Sequence, residues 1–564
     1  MTTGDILTKR QKYERLRSAL LLERYSFEPD WREIAQYIRP RRTRFFTTER
    51  NRGERRNQSI IDSTATYAAR TLQSGMHAGL TSPAREWMRL TVTDPDLADW
   101  GPVKDWLHIV TQRMLALFQR SNVYNALPIL YGDEGVFGTG AMAILNDPHD
   151  FLRCYTYPVG SYALGVSDRG TANSIVREWQ MTVRQVVEQF GVTPGTREID
   201  WTKLSARVKS LWDNSNYESS VEVTWVVTPN EYQDAGRLGM QHAPFASCHF
   251  EKGGDDGRFL RESGFYEFPV TACRWAVTGA EDIYATEYPG LDVLGDTKAL
   301  QLMCKKKAQA VELMINPSLQ APTHVLNQKV SLLPGDISWL DVTAHGEGIR
   351  AIREVRLPVA ELTADIQDTR QLILRGFYAD IFLMLAESDR RQITAREIAE
   401  RHEEKLIMLG PVTERNNDEV LDPFVDRVYN MMDRGGLIPE PPEQLQGQDL
   451  KVEYVGLLAQ AQKLIGLASH DRLLSTIVGM TPVFPDARHK LDVMQYVDDL
   501  GSLLGVNPRL VVPTDQAIAA IQAERQAQAK AAQLQQEALA AKSARDLSQA
   551  PLDSDNALAR MVGQ

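Results

Sequence analysis

Apolar residues near the start of the chain recur at helical spacing. Leu7, Leu16, Leu20, Leu21, Trp31, Ile34 and Ile38 suit two amphipathic helices within residues 4–38, broken near Pro29. A third helix is predicted from Asp62, a suitable N-cap, through Ala65, Ala68, Ala69, Leu72 and Met76 to a stop at Gly79. Its small residues predict close packing.

Between about 150 and 290 the pattern changes to mixed α/β. Tyr162–Val166 and Ser174–Gln180 read as strands joined by the hairpin turn Ser167-Asp168-Arg169-Gly170. Thr182 then caps a short helix through Val183, Val186, Val187 and Phe190, closed by Gly191. Val221–Val227 and Val270–Val277 are further strands.

Helical spacing returns at Asp292 and continues through Leu300, Val311 and Met314 until Asn316-Pro317, because the residue before a proline is pushed out of the α region. Residues 317–358 hold four prolines, Pro334-Gly335-Asp336 and short β-type runs such as Thr323–Leu326, which predicts a small compact insertion. A second helix follows from about Val359 to Ala379. Ile381–Ser388 is apolar but short, so a loop is expected before Thr394 and Glu397 form a capping box. The helix they open passes Gly410-Pro411 and resumes through Val420, Phe424, Val428 and Met431 to Gly435-Gly436. From Asp515 to Ala544 the chain is rich in Ala and Gln, and its apolar residues are sparse (Ile518, Ile521, Leu534, Leu539). Such a helix buries little alone and either frays or packs against copies of itself.

A chain of 564 residues exceeds one hydrophobic core, and 43% apolar residues suffice for two to four domains of a soluble protein. Four cysteines, none in a C-x-x-C pair, argue against a disulfide framework and fit a reducing cytoplasm. The charged first 25 residues show no secretory signal, and no apolar run approaches the roughly 20 residues a membrane span needs. The net charge of −11 is the wrong sign for gripping nucleic acid over the whole surface. Positive charge is local instead. Arg41, Arg42, Arg44, Arg50, Arg52 and Arg55 lie between Arg39 and Arg56, against only Glu49 and Glu54. This segment is either a solvated or ion-paired basic loop or a contact to DNA phosphates.

Catalytic constellations are not found in the sequence. Gly-Lys occurs nowhere, so a P-loop is excluded, and the cluster from Gly132 to Gly140 carries two acids and no base. It reads as a structural turn in which glycine permits close packing. His402-Glu403-Glu404 lies on a predicted exposed helix face. Cys248 and His249 are adjacent on a strand and point to opposite faces, so they cannot converge on a metal. Asp498-Asp499 lacks a third ligand and reads as a solvated helix end. No catalytic residue, metal or cofactor is expected.

Asp62-Ser63-Thr64-Ala65-Thr66-Tyr67-Ala68-Ala69-Arg70-Thr71-Leu72-Gln73-Ser74-Gly75-Met76-His77-Ala78-Gly79 is a small-residue helix, followed by Leu80-Thr81-Ser82-Pro83 and then Trp87. This segment resembles the head-to-tail connector (portal) family of podophages. Phe137-Gly138-Thr139-Gly140 and Thr394-Ala395-Arg396-Glu397-Ile398 leading into Leu409-Gly410-Pro411-Val412 look like the same family. The likeness runs in order over roughly residues 5–510.

The resemblance implies a mixed, mainly α fold with an α+β wing, in a ring commonly of twelve subunits at one capsid vertex. DNA enters through it during packaging and leaves on infection. Residues 1–290 would be the N-terminal helices and wing, 291–316 and 359–380 the two stem helices, and 317–358 the clip. Residues 381–393 would be the tunnel loop, 394–436 the long wing helix, 437–514 a wing and crown region, and 515–564 the crown or barrel. The tunnel loop would present Glu387, Ser388, Asp389, Arg390, Arg391 and Gln392 to DNA, while its apolar half packs on the neighbouring subunit's stem. Candidate basic contacts are Arg41, Arg42, Arg44, Lys305, Lys306 and Lys307. Implied partners are further copies of the chain, double-stranded DNA, the major capsid and scaffolding proteins, the terminase large subunit, and tail adaptor and nozzle proteins. The competing reading is another virion or packaging protein: an internal core protein, a scaffold or a terminase subunit.

Overall fold

In the computed structural model the chain forms two compact units. The first comprises residues 1–89, 110–439 and 452–466, and the second 90–109, 440–451 and 467–564. The structure describes residues 8–548 apart from 332–348, 352–358, 384–407, 457–466, 481–483, 485–490 and 504–511, and scattered positions between 50 and 329 and at 446 and 513.

Helix α1 (Lys9–Tyr37) opens with a capping box, in which Thr8 Oγ1 accepts from Gln11 N and Gln11 Oε1 accepts from Thr8 N. It is one helix, not two, and Pro29 lies inside it. Proline removes a single backbone bond, whereas Glu28, Trp31 and Ile34 around it are all buried. Tertiary burial therefore outweighs the local breaker. Helix α2 (Thr64–Leu80) starts two residues after Asp62, whose carboxylate still accepts from Thr64 N at 2.9 Å. Gly79 is a buried residue within it and not the stop.

Helix α3 (Val123–Phe137) lies against α2 and corrects the reading of the glycine cluster. Gly132 and Gly135 are helical, and only Gly138, at φ 74°, makes the turn into the next strand. Close packing does require the glycines, since a Cβ on Gly135 would overlap the Leu72 side chain.

Strands β1 (Thr139–Asp147), β2 (Phe151–Tyr157) and β8 (Val270–Arg274) form an antiparallel sheet in the order β2-β1-β8. The strands β3 (Tyr162–Val166), β4 (Ala172–Thr182), β5 (Ser220–Pro229), β6 (Phe245–Glu251) and β7 (Arg261–Phe265) form a five-stranded antiparallel meander. The predicted hairpin, with Gly170 at φ 74°, joins β3 to β4. Thr182 caps the short helix Val183–Val186, as expected. Register fixes what each face of the meander carries. Val176, Val226 and Cys248 pair across strands and pack against Tyr13, Leu20 and Leu21 of α1. Their neighbours Arg177, Trp225 and His249 pair on the opposite face.

Helix α4 (Leu294–Ile315) ends at Asn316, before Pro317. Helix α5 (Val359–Gly376) returns antiparallel to it: Lys307 Nζ donates to Thr363 Oγ1 at 2.8 Å, and Gly376 abuts Val293. Within residues 317–358, Leu319–Gln320 pairs with Arg350–Ala351. Ile381 and Phe382 are buried in their own chain, with the Phe382 ring against Gly75 of α2. For these two residues that corrects the expectation of packing on a neighbouring subunit; Leu383 is exposed, and Met384 and Leu385 lie outside the described residues. Gly410-Pro411 falls at the start of the helix Gly410–Asn416, where a missing N–H costs nothing. It continues through a π-turn into α6 (Asp422–Arg434). In the second unit, α7 (Thr514–Ser548) is a 35-residue helix whose described side chains beyond residue 517 are almost all exposed.

Candidate functional site

The basic segment after α1 folds back over the N-terminus of α2. Arg42 does not project into solvent: Nε lies 2.7 and 2.9 Å from the Asp133 carboxylate oxygens, and Nη2 2.6 Å from Oδ2. Asp133 is fully buried, and burial pushes its carboxyl up while Arg42 holds it down. Arg44 donates to Thr47 O at 2.7 Å, and exposed Arg41 donates to Glu54 O at 3.1 Å. Arg39 donates to Gln73 of α2. Together with Arg70, which sequence reasoning did not single out, Arg39, Arg41 and Arg42 line a cleft of about 470 Å³.

The antiparallel pair α4–α5 is anchored to the start of α2. Arg370 Nη2 reaches Asp62 Oδ2 at 2.7 Å, and Gln301 brackets Asp62, accepting from its N–H and donating to its C=O. Burial works against ionisation of Asp62, but hydrogen bonds from Thr64 and Arg370 outweigh it and hold the carboxyl below its usual range. Lys305 and Lys306 are exposed, while Lys307 is half-buried on Thr363. Away from the anchor the helices expose apolar side chains. Leu302, Leu313 and Leu372 are each about half exposed, and Ile315 is 71% exposed.

Glu134 is buried beside Asp133. It accepts from Asn416 at 2.7 Å, its Oε2 lacks a partner, and burial pushes its carboxyl up to about 8. Arg274 Nη2 meets Glu419 at 2.6 Å in the same interior. These groups tie α3, β8 and the 410–434 helices together.

Other candidates separate. Cys248 and His249 occupy opposite faces of β6, as expected. Glu387 to Gln392, His402 and the Thr394 box lie outside the described residues. Among the described residues no three His, Cys, Asp or Glu side chains converge as a metal-binding group, and no helix is long and apolar enough to cross a membrane.

Residues 10–512 match the family of bacteriophage head to tail connecting proteins. The chain belongs to that family. It is 44% identical over 552 residues to the portal protein of Salmonella phage epsilon15, covering 98% of this chain and 97% of that one. It is also 41% identical over 514 residues to a protein of Bordetella phage BPP-1 named probable portal protein, covering 91% and 90% of the two chains.

Proposed function

We propose that the chain is a phage portal: copies close into a ring at one capsid vertex, through which DNA is packaged and ejected and to which the tail attaches. The family match from residue 10 to 512 carries this reading. Ring closure is supported by the exposed apolar residues of α4 and α5, which a cyclic neighbour would cover. In this reading α4 and α5 are the stem, 317–358 the clip that meets the terminase large subunit, and 515–564 the crown or barrel. Capsid, scaffolding, tail adaptor and nozzle proteins are the other partners, in the virion and, during assembly, in the host cytoplasm. The chain acts as a conduit and not as an enzyme; a docked motor supplies the packaging energy, since the sequence offers no P-loop.

Exposed Arg41, Lys305 and Lys306, and the Arg390 and Arg391 of the proposed tunnel loop, would meet phosphates through contacts that carry no sequence information and weaken with salt. Arg42 is less suited to this, because Asp133 holds it. Electron micrographs with native mass spectrometry test the proposal. Twelve copies of 63.5 kDa give rings of about 0.76 MDa with a central hole. Monomers or irregular aggregates under assembly conditions overturn it.

A further inference from the structure

The face of the meander opposite α1 borders a cavity of about 570 Å³ lined by Arg177, Arg261, Arg427 and Arg434 together with Trp225 and His249. Two of these arginines have a partner acid. Glu267 meets Arg434 at 2.5 and 2.9 Å, fork to fork, and Arg427 at 3.3 Å. Among the described residues Arg177 and Arg261 meet no carboxylate. Arg261 donates to Gln189 O. Arg177 Nε and His249 Nδ1 are closed off from solvent and have no hydrogen-bond partner among the described residues. Elsewhere in this unit several inward arginines are matched with acids: Arg24 with Glu28, Arg42 with Asp133, Arg274 with Glu419. Four guanidinium groups thus line a cavity whose described lining holds one carboxylate, Glu267, an excess of positive charge that a bound anion would offset.

The lining also selects the kind of anion. Arg177 lies 4.0 Å from the Tyr157 ring centroid and 4.5 Å from that of Trp179, and His249 stacks on Trp225. One face each of the Tyr157, Trp179 and Trp225 rings is thus taken, and the cavity offers N–H edges. Burial, with Arg261 and Arg177 nearby, pushes His249 down to about 3, so it is a neutral partner. Glu267 already displays the planar carboxylate-to-arginine fit on one wall. Half-exposed Tyr155 and Tyr266 border the cavity and could carry apolar parts of an incoming chain. We propose that this cavity binds an Asp or Glu side chain presented by an acidic peptide segment of a partner protein, with Arg177 and Arg261 as its ligands.

The test is calorimetric titration of the assembled full-length protein with the blocked peptide Asp-Tyr-Glu-Asp, its Asn/Gln counterpart, inorganic phosphate and AMP. Saturable binding of the acidic peptide alone is expected. Arg261→Gln, at the exposed rim, should weaken it about tenfold, the size of one lost charged hydrogen bond. Arg177→Met should abolish binding, and Arg177→Lys, which keeps the charge without the planar fork, should restore only part of it. Equal binding of the neutral peptide, an unaffected Arg261→Gln variant, or no saturable binding overturns the proposal. Displacement by phosphate or AMP overturns the carboxylate assignment. Unchanged binding in a folded Arg177→Met variant overturns the role of Arg177 as a ligand.

Discussion

Arg42 decides between two uses of the basic segment, and its replacement has a calculable cost. In Arg42→Ala the Asp133 carboxylate loses the three hydrogen bonds that Arg42 donates to it while remaining fully buried. Arg39, the nearest remaining cation, is committed to Gln73. Stripping one partner from a buried ion pair costs about 3–5 kcal/mol. Arg41→Ala removes one exposed hydrogen bond to a backbone carbonyl and should cost under about 1 kcal/mol. The pH dependence has a definite sign. Burial raises the folded-state pKa of Asp133, and losing Arg42 raises it further, so the folded variant binds a proton that the unfolded chain releases. The penalty is then largest above the folded pKa and shrinks as pH falls towards the unfolded value near 4.

Urea unfolding followed by tryptophan fluorescence reads this directly. With a slope near 3 kcal/mol per M, the Arg42→Ala midpoint falls by about 1–2 M at neutral pH. Arg42→Met combined with Asp133→Leu should recover most of the loss, because replacing both members of a buried pair by apolar groups is often neutral. A loss below about 1 kcal/mol, or an equal loss in Arg41→Ala, would refute the internal role and return Arg42 to the surface contacts.

Further outcomes follow from the same interior and from the last helix. Glu134, with a folded pKa of about 8, makes stability fall by up to about 1.4 kcal/mol per pH unit as pH rises from about 4.5 to 8; Glu134→Gln should flatten that slope, and an unchanged slope would contradict it. Gly138→Ala should cost at least about 1–3 kcal/mol in thermal melts, because φ is 74° and a Cβ would overlap Tyr288 and Ala285; Gly53→Ala, with open space around it, is the control. Truncation before Asp515 should leave the melting of the first unit unchanged and rings intact, and loss of rings would make α7 a primary assembly element.

Local rules carried far along this chain. Asn316-Pro317 ends α4, Thr182 caps its helix, and the Ser167–Gly170 turn joins the two expected strands, since each depends on residues within one turn. The failures have a common physical origin. Pro29 and Gly132 read as breakers, yet both are helical because distant elements bury their neighbours. Arg42 read as one arginine of a loop, and its partner lies 91 residues away. His249 was dismissed with Cys248 by strand alternation, which was right about convergence. What the alternation also implied, that His249 shares a face with Arg177 and Trp225, needed the β4-β5-β6 register.

The distribution of polar and apolar groups separates the fold from its use. Inside the first unit, Asp133, Glu134, Glu419 and Glu267 are held by Arg42, Asn416, Arg274 and Arg427, on segments roughly a hundred to nearly three hundred residues apart. Such pairs contribute little net stability against apolar replacements of the same shape. Each is costly to half-satisfy, however, so any rearrangement that separates the 410–434 helices from α3 or from β8 strands a buried polar or charged group. The apolar surface of α4 and α5 is the opposite case: exposing Ile315 or Leu372 leaves a favourable burial unmade and strands nothing. In the proposed ring, a chain built this way would keep its own interior fixed and leave its contacts with neighbours to form on assembly. That is the division a ring requires if its subunits must fold before they close.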